Sequence, residues 1–587
     1  MSTNQVNDLI QWGLKNGAQI PDGIEFIEVG NKGVCCMTTE ELDNVSIKIP
    51  STIIISHSLL FEVFDEQFIS SQNKNTLLKF LVGRLMFDRN STNDNVRKLS
   101  MKFRPYLDLL PKEMHSPLIW NPSELQFLVN TNLGNSIKNK LQSIYKEWYQ
   151  ITKFNESLFN HNEIKEEFII YESFDELSEL ELYERLLHKA NELESPVWYS
   201  FIAFLWSHLI FISRAFPEYV VNKQAPTDGV VLLPIIDLLN HNYSTKVEWL
   251  SDNDGSFCYR NLSVTPANTE LNNNYGGKGN EELLSGYGFV MKDNLFDSVA
   301  LKINLPETMI LQILQDAPEI SLPTIDDYTW FAFDENAKAD ETDAEKPQYK
   351  DGLLYFINCN NDKCLNDVLD LFSHMGKDTS ETWKSPRARF HGLQLLRNAL
   401  EHKLSQINLT VQAQDSADFP INPYRLEVSQ IYRDGQIKIF KHCLSLLKKI
   451  EREQIKKYKN ILVTVNKVFK NDDKFTDELT DFYDKKDPED IKFGSSMDIL
   501  TLWILIKVLN NSFPSKYEKV QDQYTQYIKR HATDEYKLSN TANDFEDLVL
   551  LGSNKVTPRA TFLAVEFVND NSFTRVSSQE TILVLTN

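Results

Sequence analysis

Three observations predict an α+β chain of more than one domain. β-Branched runs bounded by turn residues cluster at residues 24–56 and return at about 230–302. Leucines at helical spacing fill the stretch between them, and helical periodicity prevails after residue 302. At 587 residues the chain exceeds the roughly 250–300 at which one core stops growing, so two or three domains are expected. A hydrophobic fraction of 42% with 11% aromatic residues supplies packed cores, and sparse glycine and proline (20 and 21 residues) suit helices.

Taken in order, the N-terminal segment 1–22 lacks the basic start and apolar core of a secretory signal. It reads as an amphipathic helix with Val6, Leu9, Ile10 and Leu14 on one face and Gly17 as its stop. Val45 to Ile49 reads as a strand ending at Pro50, and Ile53-Ile54-Ile55 as the next. Between about 75 and 200, Leu77, Leu78, Phe80, Leu81 and Leu85, then Glu176 to Leu193, give a helical block inserted between β-rich segments. The longest apolar run, Val197 to Ser213, is shorter than the ~20 residues of a membrane span and contains Ser200, Ser207 and His208. It predicts a buried helix. Leu393, Leu396, Leu400 and Leu404 form one later stripe, and Phe440, Leu444, Leu447 and Ile450 another. The acidic stretch 334–350 reads as a solvated loop, and the charged Lys467 to Lys492 region as an exposed connection.

The formal net charge is −22, from 83 acidic against 61 basic residues. Such a field repels phosphate backbones, so direct nucleic-acid binding is disfavoured, while a basic protein partner is suited. The same acidity also serves solubility. Six cysteines, scattered through the chain, show no disulfide framework and point to a reducing compartment, cytoplasmic or nuclear. Cys359 and Cys364 lack a second Cys/His pair at zinc spacing, so no metal site is expected.

Two segments carry candidate chemistry. The apolar run Val230 to Leu239 breaks at Asn240-His241-Asn242, residue types that turn a chain and leave backbone groups free for a ligand. Downstream, Tyr275-Gly276 precedes a glycine-rich stretch with no GK[ST] ending, which argues against a phosphate loop. Asn280 reads as a helix cap with Glu281 and Glu282 in the first turn, and Tyr287 follows between Gly286 and Gly288. Read singly, His241 is a structural histidine and Tyr287 a core tyrosine.

Together, Asn240-His241 and Tyr287-Gly288-Phe289 resemble the signature segments of the SET-domain protein methyltransferases, in the branch of the plant Rubisco large-subunit methyltransferase. The likeness extends to Lys32-Gly33-Val34, Ile49-Pro50, Pro105-Tyr106-Leu107, Pro117-Leu118-Ile119-Trp120 and Ser213-Arg214-Ala215-Phe216. It is strongest to the fungal ribosomal lysine methyltransferases. The resemblance implies a β-rich SET domain with a pseudoknot over 23–300, interrupted by the helical insertion, and an all-α substrate-recruiting domain over 301–587. It implies S-adenosylmethionine as methyl donor, held by Gly30, Asn31, Lys32, Arg214, Asn240 and His241. Ser213, Phe216 and Asp237 would line the lysine channel, with Tyr287 as the catalytic residue. The glycine-rich cofactor turn of the family is reduced here to Gly30-Asn31-Lys32-Gly33, and an aromatic after the Tyr-Gly-Phe segment is replaced around Phe296-Asp297.

The implied reaction is in-line methyl transfer to a lysine of a basic large-subunit ribosomal protein, by a monomer without metal or membrane association. Competing expectations are a catalytically silent SET-like module that binds a basic protein, and an enzyme whose acceptor is a translation factor or a histidine. A lysine amine must be neutral to react, and with a pKa of ~10.4 its deprotonation near pH 7 costs roughly 4–5 kcal/mol. An apolar channel and a neighbouring positive charge both lower that cost.

Overall fold

Val6 and Leu9 are fully buried on the helix Thr3–Lys15, and Gly17 ends it with φ 94°. Leu14, expected on the same face, is 41% exposed; Gly13 takes the buried position, where a Cβ would come within 2.4 Å of the Ile235 side chain. The computed structural model describes residues 3–30, 33–155, 158–323, 352–379, 381–409, 419–491, 493–531 and 556–585. The acidic stretch 334–350 lies outside them.

The described chain divides into two compact units: residues up to 298 together with 409–436, and 299–323 with 347–408 and 437–587. The first is built from short antiparallel strands around a helical block. β1 (Ile24–Glu28) pairs with β2 (Val34–Thr38), placing residues 29–33 in the connecting turn. β3 (Ser46–Ile49), β7 (Phe257–Asn261) and β6 (Val247–Ser251) form a sheet in the order β3-β7-β6. β4 (Ala215–Pro217) pairs with β5 (Val230–Leu232). Ile53-Ile54-Ile55 makes no strand: Pro50 turns the chain into a 3-10 turn over Ser51–Ile53, and only Ile55 bridges to Leu232.

The helical insertion forms as expected. The helix Lys74–Phe87 packs against Phe201–Arg214, with Phe80 and Phe204 rings 4.9 Å apart and Gly83 close to Ser207. Ser200 caps the second helix by accepting from the Ala203 N–H, and Arg214 stands in its last turn, where a cation suits the helix dipole. The longest apolar run is thus a buried helix, and no helix among the described residues is long and apolar enough to cross a membrane.

The second unit is predominantly helical, with stripes over Pro386–Asn408 and over the part of Pro423–Lys457 that follows residue 436, where the spacing predicts them. It also carries strands: β9 (Leu353–Asn358) pairs with β8 (Ser298–Ile303), and β10 (Leu462–Val463), β12 (Thr581–Val584) and β11 (Ser572–Thr574) form a small sheet. The region Lys467 to Lys492 corrects its expectation. It contains the helices Val465–Asn471 and Phe475–Phe482, whose Val468, Phe475, Leu479 and Phe482 are buried while the charges face outward. Asp472 is buried too, accepting from the Trp503 Nε1–H at 2.9 Å and from the Lys507 ammonium at 2.7 Å.

Candidate active site

The β4–β5 pairing decides where the site forms. Ala215 opposes Leu232 and Phe216 opposes Val231, so Arg214 at the helix end is brought beside the turn that follows β5. That turn is unusual: Ile235 has φ 75°, a left-handed conformation that is costly for a β-branched residue, and it launches the 3-10 turn Ile236–Leu238. Gly13 leaves the room for the Ile235 side chain. Asp237 therefore points inward, its side chain fully buried, accepting from the Tyr106 hydroxyl at 2.8 Å and from Arg214 Nη1 at 3.3 Å. Arg214 Nη1 also donates to the Asp237 carbonyl at 3.0 Å. Burial raises the Asp237 carboxyl despite Arg214, and holds the Tyr106 phenol protonated. For Arg214, burial opposes the charge, but Asp237 together with Tyr106 and Tyr275 more than offsets it.

Asn240 begins the second half of the site. Its amide nitrogen donates to the Val34 carbonyl at 3.1 Å and to Glu270 Oε1 at 2.8 Å, tying this segment to the start of β2. The segment 240–242 then pairs with Asn273: the Asn273 N–H donates to the Asn240 carbonyl at 2.8 Å, and the Asn242 N–H to the Asn273 carbonyl at 2.9 Å. Residues 269–271 hydrogen-bond to β2 on the other side, through Thr38 N–H to Thr269 O and Leu271 N–H to Cys36 O. Residues 269–273 thus cross between β2 and the 240–242 segment, bonded to both.

Tyr275 leaves this crossing. Its N–H donates to His241 Nδ1 at 3.0 Å and its hydroxyl to the Leu239 carbonyl at 2.9 Å. Its ring lies between those of His241 and Tyr287, with centroids 5.0 and 5.1 Å away and both pairs tilted by 18°. Burial pushes the Tyr275 phenol up to about 12 and the Tyr287 phenol higher still. Lys278 sits 5.8 Å from the Tyr287 ring centre, ion-paired to Glu282. The result is a neutral aromatic wall at the end of the crossing.

His241 is kept neutral, its pKa lowered to about 4 by burial and by Lys278, and His208 is lowered to about 3 by burial and Lys79. Between the ordinary value of 6.5 and about 4, the unfolded chain binds protons that the folded chain refuses, so stability falls as pH falls through this window. The urea midpoint of the first unit is expected to be lower at pH 5 than at pH 7, and the difference to shrink in His208→Gln; an unchanged difference would contradict this origin.

The remaining expected residues are distributed unevenly. Gly30 and Gly33 have φ 42° and 73°, and a Cβ on either would meet nothing within 4 Å among the described residues. Asn31 and Lys32 lie outside the described residues. The Ser213 hydroxyl donates back to the Leu209 carbonyl at 2.7 Å. Phe216 is buried edge-on to Trp249 at 5.2 Å, and Trp249 Nε1 donates to Asn273 Oδ1 at 3.2 Å. Asn280 is not the helix cap. Gly279 takes that position, the Asn280 N–H donates to Asp297 Oδ1 at 3.0 Å, and its buried amide bonds to Met291. Phe296 packs on Gly277, where a Cβ would come within 2.6 Å of its ring, and edge-on to Tyr243.

Sequence reasoning missed Tyr275, Tyr106 and Asn273. The signal for the first was the Asn272-Asn273-Asn274-Tyr275-Gly276 run, since three asparagines and a glycine favour a turn held by local side-chain to backbone hydrogen bonds.

The chain is 44% identical over its full length to ribosomal lysine N-methyltransferase 1 of Saccharomyces cerevisiae, of which it covers 100%. It belongs to the SET-domain protein-lysine methyltransferases. This methyltransferase is also 25% identical to protein-lysine N-methyltransferase EFM1 of the same yeast, over 87% of this chain and 84% of that one. The EFM1 middle domain matches residues 334–458. The solved structure of Rubisco LSMT bound to AdoMet shares the fold, with a TM-score of 0.51 and 15% identity over 78% of this chain and 94% of that one.

The methyltransferase uses S-adenosylmethionine, and its own residues fit that group. Gly30 and Gly33 each have room beside their Cα. Arg214 Nε, Asp237 Oδ1 and Asn273 Nδ2 are buried polar atoms with no partner. Buried polar groups left unpaired are costly unless a polar ligand completes them. Among the described residues no cluster of His, Cys, Asp or Glu is arranged for a metal ion.

Proposed function

We propose that this enzyme methylates a lysine of a large-subunit ribosomal protein, in a cytoplasmic or nuclear setting and as a monomer. The observation that carries the acceptor class is the full-length 44% identity to a chain named for ribosomal lysine methylation. The net charge of −22 supports a basic partner, and six free cysteines support a reducing compartment.

S-adenosylmethionine supplies an electrophilic sulfonium methyl. Gly30 and Gly33 would offer it backbone groups, the Arg214 guanidinium suits its carboxylate, and Asp237 Oδ1 suits its ammonium. The neutral His241 and the Asn240 backbone border its adenine end. Asn240 does this chiefly by fixing the β2 start, since its amide nitrogen is already committed to Val34 and Glu270.

The acceptor amine meets the aromatic wall. Tyr275 and Tyr287 stay protonated, so neither holds a lysine as ammonium by charge, and partial burial favours the neutral amine the reaction requires. Because the Tyr275 hydroxyl spends its proton on the Leu239 carbonyl, its oxygen has lone pairs left to accept from the amine or the polarised methyl. Tyr287 extends the wall, and Phe216 with Trp249 backs the Asn273 crossing. Alignment of amine and methyl then supplies the rest of the acceleration, through effective molarities worth roughly 7–11 kcal/mol.

The test is labelled S-adenosylmethionine with ribosomes from cells lacking this chain. One large-subunit protein is expected to take up label at a lysine, identified by peptide mass spectrometry. Label confined to small-subunit or non-ribosomal proteins, or found on histidine, would overturn the acceptor.

A further inference from the structure

We infer that the chain segment 419–433, far beyond the SET signatures, is a working part of the active site, in which Tyr424 and Arg425 are positioning residues for the Tyr287 turn. The inference rests on the reading that Tyr287 walls the lysine channel.

Tyr287 closes a π-type turn, Leu283–Tyr287, and the chain reverses at Gly288 with φ 76°. That glycine is flush against His115: a Cβ there would lie 3.1 Å from the His115 carbonyl carbon and from its Cβ. The segment from Met114 to Trp120 is the plate on which the turn rests. Ser116 Oγ donates to the Ser285 carbonyl at 3.1 Å, and Lys140 Nζ to Ser285 Oγ at 3.0 Å. Trp120 Nε1 donates to the His115 carbonyl at 2.9 Å, which fixes the plate internally.

The segment 419–433 grips this plate and the turn together. The Tyr424 ring packs on His115 at 4.7 Å and its hydroxyl donates to the Gly288 carbonyl at 3.3 Å, next to Tyr287. Arg425, only 5% exposed, donates through Nη2 to the Met114 carbonyl at 2.9 Å and to Asn191 Oδ1 at 2.7 Å. Asn191 in turn donates to the Ile119 carbonyl at 2.8 Å, so one guanidinium holds both ends of the plate. Arg425 Nη1 pairs with Glu124 Oε2 at 2.7 Å, and Glu124 is 1% exposed. Glu124 Oε1 also accepts from the Asn422 N–H at 2.9 Å, and the Pro420 carbonyl accepts from Asn121 Nδ2 at 2.9 Å.

A buried ion pair is a poor choice for stability alone, because an apolar pair of equal volume holds a core as well at lower desolvation cost. What this one supplies is directionality: a planar fork fixes two carbonyl groups and a carboxylate at set angles. Tyr432 repeats the pattern one helical stretch on, donating to Glu281 at 2.9 Å beside the same turn. Displacement of the Tyr287 ring by a fraction of an ångström would alter the room left for a methylated amine.

The test uses the full chain. Acid-extracted ribosomal proteins serve as acceptor, with mono-, di- and trimethyl-lysine resolved by mass spectrometry, and hydrogen exchange is followed in the peptide covering 283–290. In Tyr424→Phe the ring contact survives and only the hydroxyl is lost. Exchange in that peptide is expected to quicken and kcat to fall roughly 3- to 10-fold, with KM for S-adenosylmethionine unchanged and the product ratio shifted. Arg425→Met should do the same more strongly, and Arg425→Lys should restore part of the ratio. A loss of folded enzyme alone would lower the yield without changing the ratio. Wild-type exchange, or quickened exchange with wild-type kcat and ratio, in both Tyr424→Phe and Arg425→Met overturns the inference. Tyr287→Phe with wild-type kcat and ratio would instead overturn the reading on which it rests.

Discussion

Tyr275→Phe is expected to lower kcat roughly 10²–10³-fold, the cost typical of removing one preorganised hydrogen-bonding group at a reacting centre. The phenyl ring keeps its stacking between His241 and Tyr287, and the backbone N–H to His241 Nδ1 is untouched. The lost group is the hydroxyl anchored on the Leu239 carbonyl. Affinity for S-adenosylhomocysteine, measured by calorimetry, should therefore change little while single-turnover methyl transfer collapses. A variant that transfers methyl at the wild-type rate would remove Tyr275 from the reaction. One that loses cofactor binding as well would make it a structural residue.

Asp237→Ala should be the most damaging change to the fold of the site. The Asp237 side chain is a fully buried carboxylate paired with Arg214, and it is also the acceptor of the Tyr106 hydroxyl. Without it, the guanidinium keeps one carbonyl partner and the phenol has none. Breaking a buried pair from one side costs about 3–5 kcal/mol, against total stabilities of about 5–15 kcal/mol for typical domains. Urea unfolding should show a large fall in the midpoint of the first unit, together with weakened S-adenosylhomocysteine binding. Asp237→Asn keeps an acceptor for both partners and should lose much less stability. Equal losses in the two variants would mean that charge, not hydrogen bonding, holds the locus; no loss in either would mean that the pair is incidental.

The site was only partly legible in the sequence because its members meet through pairing rather than proximity. Arg214 and Asp237 were readable as candidates, but their contact depends on β4 and β5 aligning Phe216 with Val231 and on the left-handed Ile235. Tyr275 went unread because its importance comes from the crossing of segments 240–242 and 269–275. A tyrosine followed by glycines looks like a loop until the partner strand is known. Asn280 was misread for a related reason: a residue suited to capping sits one position inside the helix, and Asp297 reaches its N–H from outside. In the region Lys467 to Lys492 dense charge concealed an apolar face at helical spacing, Val468 with Phe475, Leu479 and Phe482.

By itself, the sequence determined the class of elements, the buried nature of the Phe201–Arg214 helix and the family to which the chain belongs. Those depend on local periodicity and on short contiguous motifs, which survive in one dimension. Only the tertiary structure decided which tyrosine stands at the centre of the aromatic wall, which amides are already committed to protein partners, and that residues 419–433 reach back to the Tyr287 turn. The physical reason is that hydrogen bonds and ion pairs join groups hundreds of residues apart once strands and helices have packed. No spacing rule records a guanidinium at position 425 that holds carbonyl groups at 114 and, through Asn191, at 119.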